Sequence, residues 1–428
     1  MSRSAAQARG TRSWGASLSI TIIAALVVLI AACGDEDGGQ SNSSNEITIG
    51  ALLDLSGSWQ TLGKASEATL QIGVQELNDN LQSQGRKERV RLIVEDTGLD
   101  PDQALARLKS LADRGARIVI GPQSSAEVSA LKGYADSNGI VLISQGSTAS
   151  SLSLQGDNVF RLTPDDRREG EAVTAMMLED GKTTVLPVCR EDAGNRGLCD
   201  SVTQELQKYG AKVLPRVTYR GTAPAEDILR NLKANFGGQQ GPSVAIYLAA
   251  FEEAVGLFKA AASDEVLQSI DWYGSDGMAL NAQLVDPSNA QSARFAVEVS
   301  YPNPIFALDA ESQEDWQPLF DRVKAKVGYD PDAFALSAYD ALVIAVNAYL
   351  EAGGTADLRA YKERLVQIAG ANDSLSGSTE LNDAGDRKSG VFDFWAVEST
   401  GSGSYRWERV ATYRPSGDGS GTITRYDR

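Results

Sequence analysis

The chain has 428 residues, with 40 lysines and arginines against 57 aspartates and glutamates, and no histidine. The formal charge of −17 repels phosphate backbones and argues against nucleic-acid binding, while the lack of histidine removes the commonest general base and metal ligand together. The length exceeds what one hydrophobic core usually holds, which predicts two lobes.

Arg3, Arg9 and Arg12 precede an apolar run over 18–33 that contains no acidic residue and ends in Ala31, Ala32 and Cys33. A positive leader, a short apolar stretch and a small-residue cleavage site describe an export signal. Ile30-Ala31-Ala32-Cys33 resembles the bacterial lipobox, whose cysteine is lipidated and becomes the mature N-terminus; the alternative is a single membrane-spanning anchor. The tract that follows, Gly34-Asp-Glu-Asp-Gly-Gly-Gln-Ser-Asn-Ser-Ser-Asn45, has no apolar residue to pack and reads as a flexible tether. Removal of residues 1–32, which carry three arginines and no acid, leaves 396 residues with a formal charge of −20. No later segment is expected to cross a membrane. With Cys33 assigned to lipid, Cys189 and Cys199 remain, and an even pair in an exported chain predicts a disulfide. Two free thiols or a two-cysteine metal site are the alternatives, the latter without further ligands nearby.

Beyond the tether, short apolar runs alternate with helical patterns. Strands are predicted at 47–53, 90–94, 117–121 and 140–144. A helix over 63–81 carries Leu70, Val74, Leu77 and Leu81 on one face. Asp100-Pro101 and Ser124 with Glu127 open two more helices. After Arg161-Leu-Thr-Pro164 the rhythm resumes, with strands at 183–188, 211–219, 243–248 and 270–273 and helices near 195–209, 225–236 and 252–262. Residues 314–369 read as mostly helical, and strands at 391–397 and 405–413 end the chain. Strand and helix in series predict an α/β fold of two lobes, each a mostly parallel sheet flanked by helices.

Ligands in open α/β sheets sit at the carboxyl ends of strands. The candidate loops are therefore 56–63, 121–125 and 144–148 in the first series, and 189–197, 249–251 and 274–277 in the second. Hydroxyl-rich loops at helix starts, backed by free N–H groups, would form a neutral anion cradle; the competing reading is simple helix capping. Tyr339 and Asp340 are expected to cap or pack a helix.

Gly50-Ala-Leu-Leu-Asp-Leu-Ser-Gly-Ser-Trp-Gln-Thr-Leu-Gly63, Ile120-Gly-Pro-Gln-Ser-Ser125 and Ile143-Ser-Gln-Gly-Ser-Thr148 resemble the periplasmic leucine/isoleucine/valine-binding proteins. These are type I solute-binding proteins of ABC importers for branched-chain amino acids and amides. Tyr273-Gly-Ser-Asp-Gly277, Ala338-Tyr-Asp-Ala341 and Leu381-Asn-Asp-Ala-Gly-Asp386 add to the resemblance, which runs from about residue 46 to 397. It implies that Ser125, Gly146, Ser147 and Thr148 grip a ligand carboxylate, that Asp276 takes the ammonium, and that Trp59 and Phe251 form walls. It further implies two lobes joined by a three-strand hinge: 46–163 with 302–375, and 164–301 with 376–428. The hinge crossings are expected near Thr163-Pro164, Tyr301-Pro302 and 374–377. Two departures bear on selectivity. Asp276 is one methylene shorter than the usual Glu, and Ala193 stands where an aromatic is usual, in a loop flanked by Cys189 and Cys199.

The expected function is a lipid-anchored, monomeric, non-enzymatic binding protein at the outer face of the cytoplasmic membrane. It would need no cofactor and would deliver an amino acid or related small carboxylate or amide to an ABC permease and ATPase. A ligand sensor feeding a receptor or kinase is the alternative. A serine hydrolase lacks support, because the chain has neither a histidine nor a Gly-x-Ser-x-Gly elbow.

Overall fold

The computed structural model describes residues 45–426 except 240, 309, 372–373, 389 and 417–420. The export segment, Cys33 and the tether up to residue 44 lie outside the described residues. The first part of the chain alternates β1 (Glu46–Leu53), α1 (Gln60–Ser83), β2 (Arg89–Asp96), α2 (Pro101–Asp113), β3 (Ile118–Ile120), α3 (Ser125–Ser137), β4 (Val141–Ser144) and β5 (Val159–Arg161). Its five strands form a wholly parallel sheet in the order β2-β1-β3-β4-β5. β1, β3 and β4 are buried almost throughout, as strands covered by helices on both faces must be. The capping signals hold: Asp100 accepts the Gln103 amide with Pro101 at the first helical position, and Ser124 and Glu127 form a reciprocal capping box. Helix α1 starts three residues before its predicted start. Gly63 lies inside its first turn against the Asp54 carbonyl, where any Cβ would collide.

A second series follows: α4 (Asp166–Glu179), β6 (Thr184–Arg190), α5 (Ala193–Lys208), β7 (Lys212–Val213), β8 (Val217–Tyr219), α6 (Ala225–Phe236), β9 (Val244–Ala249), α7 (Glu253–Ala261), α8 (Glu265–Gln268) and β10 (Asp271–Gly274). These strands are also parallel, ordered β10-β9-β6-β7 with β8 beside β6. The single strand predicted at 211–219 is two short strands, because Pro215 between them cannot donate to the ladder. In each sheet the strand that opens the series, β1 or β6, has its sequence neighbour on one side and the next strand in the series on the other. That reversal creates a crevice at the strands' carboxyl ends.

The remaining elements are α9 (Ala290–Glu298), β11 (Asn303–Phe306), α10 (Gln313–Val327), α11 (Ala333–Ala352), α12 (Leu358–Ala371), β12 (Phe392–Gly401), β13 (Ser404–Pro415) and β14 (Gly421–Arg425). β11 to β14 form a third, antiparallel sheet. This sheet was not foreseen: β5, α4, α9, β11 and β14 carry too little periodic apolar pattern to stand out. α11 also corrects the expectation that no later segment could cross a membrane, since it is long and apolar enough by composition. It is a core helix instead, with Ala338, Ala341, Leu342 and Ala345 buried among residues of α1, α12 and the first sheet.

Near the expected crossings, Arg161 pairs in parallel with Asp386. The Arg387 guanidinium donates to the carbonyls of Leu162 at 3.2 Å and Ser376 at 2.6 Å. Three chain segments are thereby tied together beside the 147–149 loop.

Candidate functional site

The loop after β1 is held by its own side chains. The Asp54 carboxylate accepts the amides of Gly57 at 2.5 Å and Trp59 at 2.7 Å, and the Gln123 amide donates to the Trp59 carbonyl at 2.9 Å. This presents the Trp59 ring, which is buried, toward the second sheet. There it stacks on Phe251, which follows β9, with ring centroids 4.5 Å apart, and it takes the edge of Phe334 at 6.1 Å. The Arg190 guanidinium lies 4.9 Å from the Phe251 ring centroid on the same wall. Hydrogen bonds close the contact on this side. Thr61 donates its amide (2.9 Å) and hydroxyl (2.6 Å) to Glu252, Arg190 donates to the Ser58 hydroxyl at 2.7 Å, and the Glu252 amide donates to the Ser58 carbonyl at 2.8 Å.

The hydroxyl residues also come together. Ser125, at the start of α3, has its Oγ 3.0 Å from Ser147 Oγ and accepts the Ala149 amide at 3.1 Å. Ser147 is fully buried, and Thr148 and Ser125 nearly so. The expected free amides are partly committed, however. Gly146 and Ser147 donate theirs to Ser144 Oγ at 3.4 and 3.0 Å, because that hydroxyl sits beneath the turn and donates to the Pro122 carbonyl at 2.6 Å. The cradle therefore rests mainly on hydroxyls. Arg161 supports it from below, donating to the carbonyls of Ala149 at 2.7 Å and Ser147 at 3.3 Å while its Nε pairs with Asp386 at 2.6 Å.

Asp276 opens a short turn after β10 and is buried. Its amide donates to Glu169 Oε1 at 3.2 Å, and its Oδ2 has no hydrogen-bond partner. Burial pushes its carboxyl up to about 7. Two further acids stand with it that the sequence reading missed, Asp166 and Glu169 on α4. Burial pushes Asp166 up to about 8, opposed by the Thr148 hydroxyl and raised further by Asp276, and neither of its carboxylate oxygens completes a hydrogen bond. Burial and the adjacent Asp276 and Asp166 carboxylates push Glu169 well above the usual range. The Tyr247 hydroxyl, influenced by the same three carboxylates, is buried without a partner. Acids in a first helical turn ordinarily read as dipole compensation, so Asp165-Asp166-Arg-Arg-Glu169 gave no sign of a site.

The Cys189–Cys199 disulfide is present, with Cα atoms 6.5 Å apart, and joins the end of β6 to the second turn of α5. Ala193 begins that helix and lines a cavity of about 470 Å³ with Ser150, Arg167, Asp192 and Arg196. Asp340 accepts the amides of Leu375 and Ser376, both at 2.9 Å, and Tyr339 donates to Glu76 at 2.7 Å, so both have the packing role expected of them. Among the described residues no group of three or more acids or cysteines is placed to hold a metal ion.

Two parallel sheets with facing crevices, neutral donors on one side and a carboxylate on the other, make a ligand clamp. The chain belongs to the periplasmic binding protein family, whose sequence model matches residues 46–403; members of this family are solute-binding proteins, not enzymes. An uncharacterized protein of Methanocaldococcus jannaschii is 28% identical over 393 residues, covering 87% of this chain and 91% of its own. The Leu/Ile/Val-binding protein of Escherichia coli K12 is 23% identical over 82% of this chain and 92% of its own. Among solved structures, a leucine-binding protein from Thermotoga maritima superposes with a TM-score of 0.70 at 20% identity, covering 85% of this chain and 97% of its own. A Rhodopseudomonas palustris solute-binding protein in complex with benzoate superposes with a TM-score of 0.66 at 20% identity, covering 85% and 96%. The fold is that of a type I periplasmic binding protein.

Proposed function

We propose that the mature chain is a lipid-anchored, extracytoplasmic binding protein that closes its two sheets around an amino acid or related small carboxylate and hands it to an ABC importer. The observation that carries this reading is the pairing of neutral buried hydroxyls with a buried carboxyl that keeps one oxygen unpartnered: Ser125, Ser147 and Thr148 from the first series, and Asp276 from the second. Hydroxyls can hold a carboxylate without a counter-charge, and a buried carboxylate meets an ammonium through a charge-assisted bond. Trp59 and Phe251 supply the wall between them. The named relatives bind leucine, isoleucine and valine or, in one solved structure, benzoate. Both ligand types bear the carboxylate, and only the former bear the ammonium.

The test is Asp276→Ala, titrated by calorimetry with amino acids and with benzoate. Loss of a hydrogen bond to a charged group, about 1.5–3 kcal/mol, should weaken an amino acid by roughly 10- to 150-fold and leave benzoate nearly unchanged. Equal affinity of the variant and the parent for amino acids would overturn the assignment.

A further inference from the structure

The cleft holds more carboxyl groups than one ammonium can partner. Asp166, Glu169 and Asp276 are all buried; Asp276 raises the carboxyls of the other two, while its own is raised by burial and lowered by a hydrogen bond with Glu169. Asp276 also faces Asp332 and Asp192; Asp166 faces Thr148, Arg161 and Asp165; and Tyr247 faces all three. Of these only Arg161 is cationic; its Nε pairs with Asp386 and its Nη1 donates to two carbonyls, while its Nη2 is buried without a partner. Arg190, at the end of β6 in the same series, is committed to Asp192 and Glu253. Both oxygens of Asp166, one oxygen of Asp276 and the Tyr247 hydroxyl are buried with no hydrogen-bond partner. Buried acceptors in this state cost free energy unless something donates to them.

The geometry does not suit a metal, since no set of acids among the described residues is placed to coordinate one. Organic cations remain. Asp166 packs tightly within the second series: its Oδ2 lies so close to Gly197 of α5 that no Cβ fits there. Its backbone amide meanwhile donates to the Thr148 carbonyl at 2.9 Å. The unpaired oxygens thus lie between the hydroxyl loop and α5, beside Asp276.

Resting on the solute-binding reading above, we infer that the ligand brings two positively charged groups into this cleft, one to Asp276 and a second to Asp166 and Glu169. The solute class is therefore a basic amino acid rather than a neutral aliphatic one. The hydroxyl loop takes its carboxylate, and the buried acids release their protons as the ligand cations arrive. A neutral amino acid would leave about two of the three carboxyls protonated or unpaired, and uncompensated buried charge is strongly unfavourable.

The experiment is calorimetry on the purified mature chain at pH 7 with lysine, leucine, putrescine and benzoate, for the parent and for Glu169→Gln and Asp166→Asn. Lysine should bind at least roughly ten-fold tighter than leucine and release protons, read as a dependence of the heat on buffer ionisation. Both variants should lose at least about ten-fold for lysine and little for leucine. Leucine tighter than lysine, or variants that bind lysine like the parent, would overturn the inference and leave the solute-binding reading standing. Putrescine as tight as lysine supports the two-cation site while removing the carboxylate role of the hydroxyl loop. Benzoate bound in preference to every amine would overturn the inference and the ammonium role of Asp276, and would leave a carboxylate-binding protein. Since either substitution could disturb folding, the melting temperature of each variant is measured alongside. For an unstable variant, proton release by the parent on lysine binding decides alone: its presence supports the inference and its absence overturns it.

Discussion

Asp166, Asp276 and Asp332 shape the pH response of the ligand-free protein. Each begins from an ordinary carboxyl value of 3.8 and is pushed by burial to about 8, about 7 and about 7 respectively. A carboxyl whose folded value lies above its unfolded one keeps its proton longer when folded. Its contribution is therefore fully present below the unfolded value and is lost as pH rises through the folded one. The ligand-free melting temperature should fall between about pH 4 and pH 8, and Asp166→Asn should flatten the decline. Glu88, lowered to about 2 by Arg86, works in the opposite direction, but it is exposed and its effect is screened by solvent. A calorimetric series in which stability rises across this window would refute the arrangement of buried acids. Trp59 and Phe251 lie in loops that strand ends mark in the sequence, and the structure stacks their rings on each other. Asp166 and Glu169 did not stand out in the sequence, because a residue's neighbours across a cleft leave no trace in its local pattern.

At the scale of the element, the link between β6 and α5 carries the clearest prediction. Nine residues lie between Cys189 and Cys199, and closing so short a loop contributes roughly 2–3 kcal/mol by chain entropy. For a protein of this size each kcal/mol is worth about 2–4 °C. The double variant Cys189→Ser, Cys199→Ser should melt several degrees lower, and two thiols should appear in the unfolded parent only after reduction. An unchanged melting temperature would show that packing of α5 against α4, not the bridge, holds this helix. The helix starts at Asp100, Ser124, Asp165, Asp192 and Asp332 all use a side-chain oxygen to accept a first-turn amide. Local chemistry of this kind is why helix starts read well from sequence. Strands of two to five residues, such as β5, β7 and β14, depend on what lies beside them and read poorly.

For the whole molecule, the contacts across the cleft describe a latch. Thr61 with Glu252, Ser58 with Arg190, and Trp59 on Phe251 join the two series without contributing to the charged cluster. Glu252→Ala removes two bonds that compete with water in the open form. The net loss should be about 1 kcal/mol, or roughly five-fold in affinity, for every ligand alike. Small-angle scattering should show a smaller radius of gyration with saturating ligand, and the melting temperature should rise with ligand concentration. An identical radius with and without ligand would argue against a hinge. Anchoring is tested separately: Cys33→Ala should move the protein from membrane to soluble extracts, because stable attachment needs the acyl chains that this cysteine would carry. A wild-type protein already soluble and beginning upstream of Cys33 would rule the anchor out.

The sequence by itself determined the α/β class, most helix starts, the strand-end loops and the cysteine pair. Each of these depends on residues close together in the chain: apolar periodicity, capping oxygens, or two cysteines left after a third is assigned. Family resemblance added Ser125, Thr148 and Asp276 as candidates for ligand contact. Only the tertiary structure decided that the C-terminal strands pair with β11 in a third sheet, and that the apolar α11 is a core helix. It also decided that the amides of Gly146 and Ser147 turn inward to Ser144, and that Asp166 and Glu169 share the cleft with Asp276. These outcomes depend on which surfaces meet. A carboxylate on a first helical turn is an ordinary solvated charge until other elements close over it, and burial then raises its carboxyl.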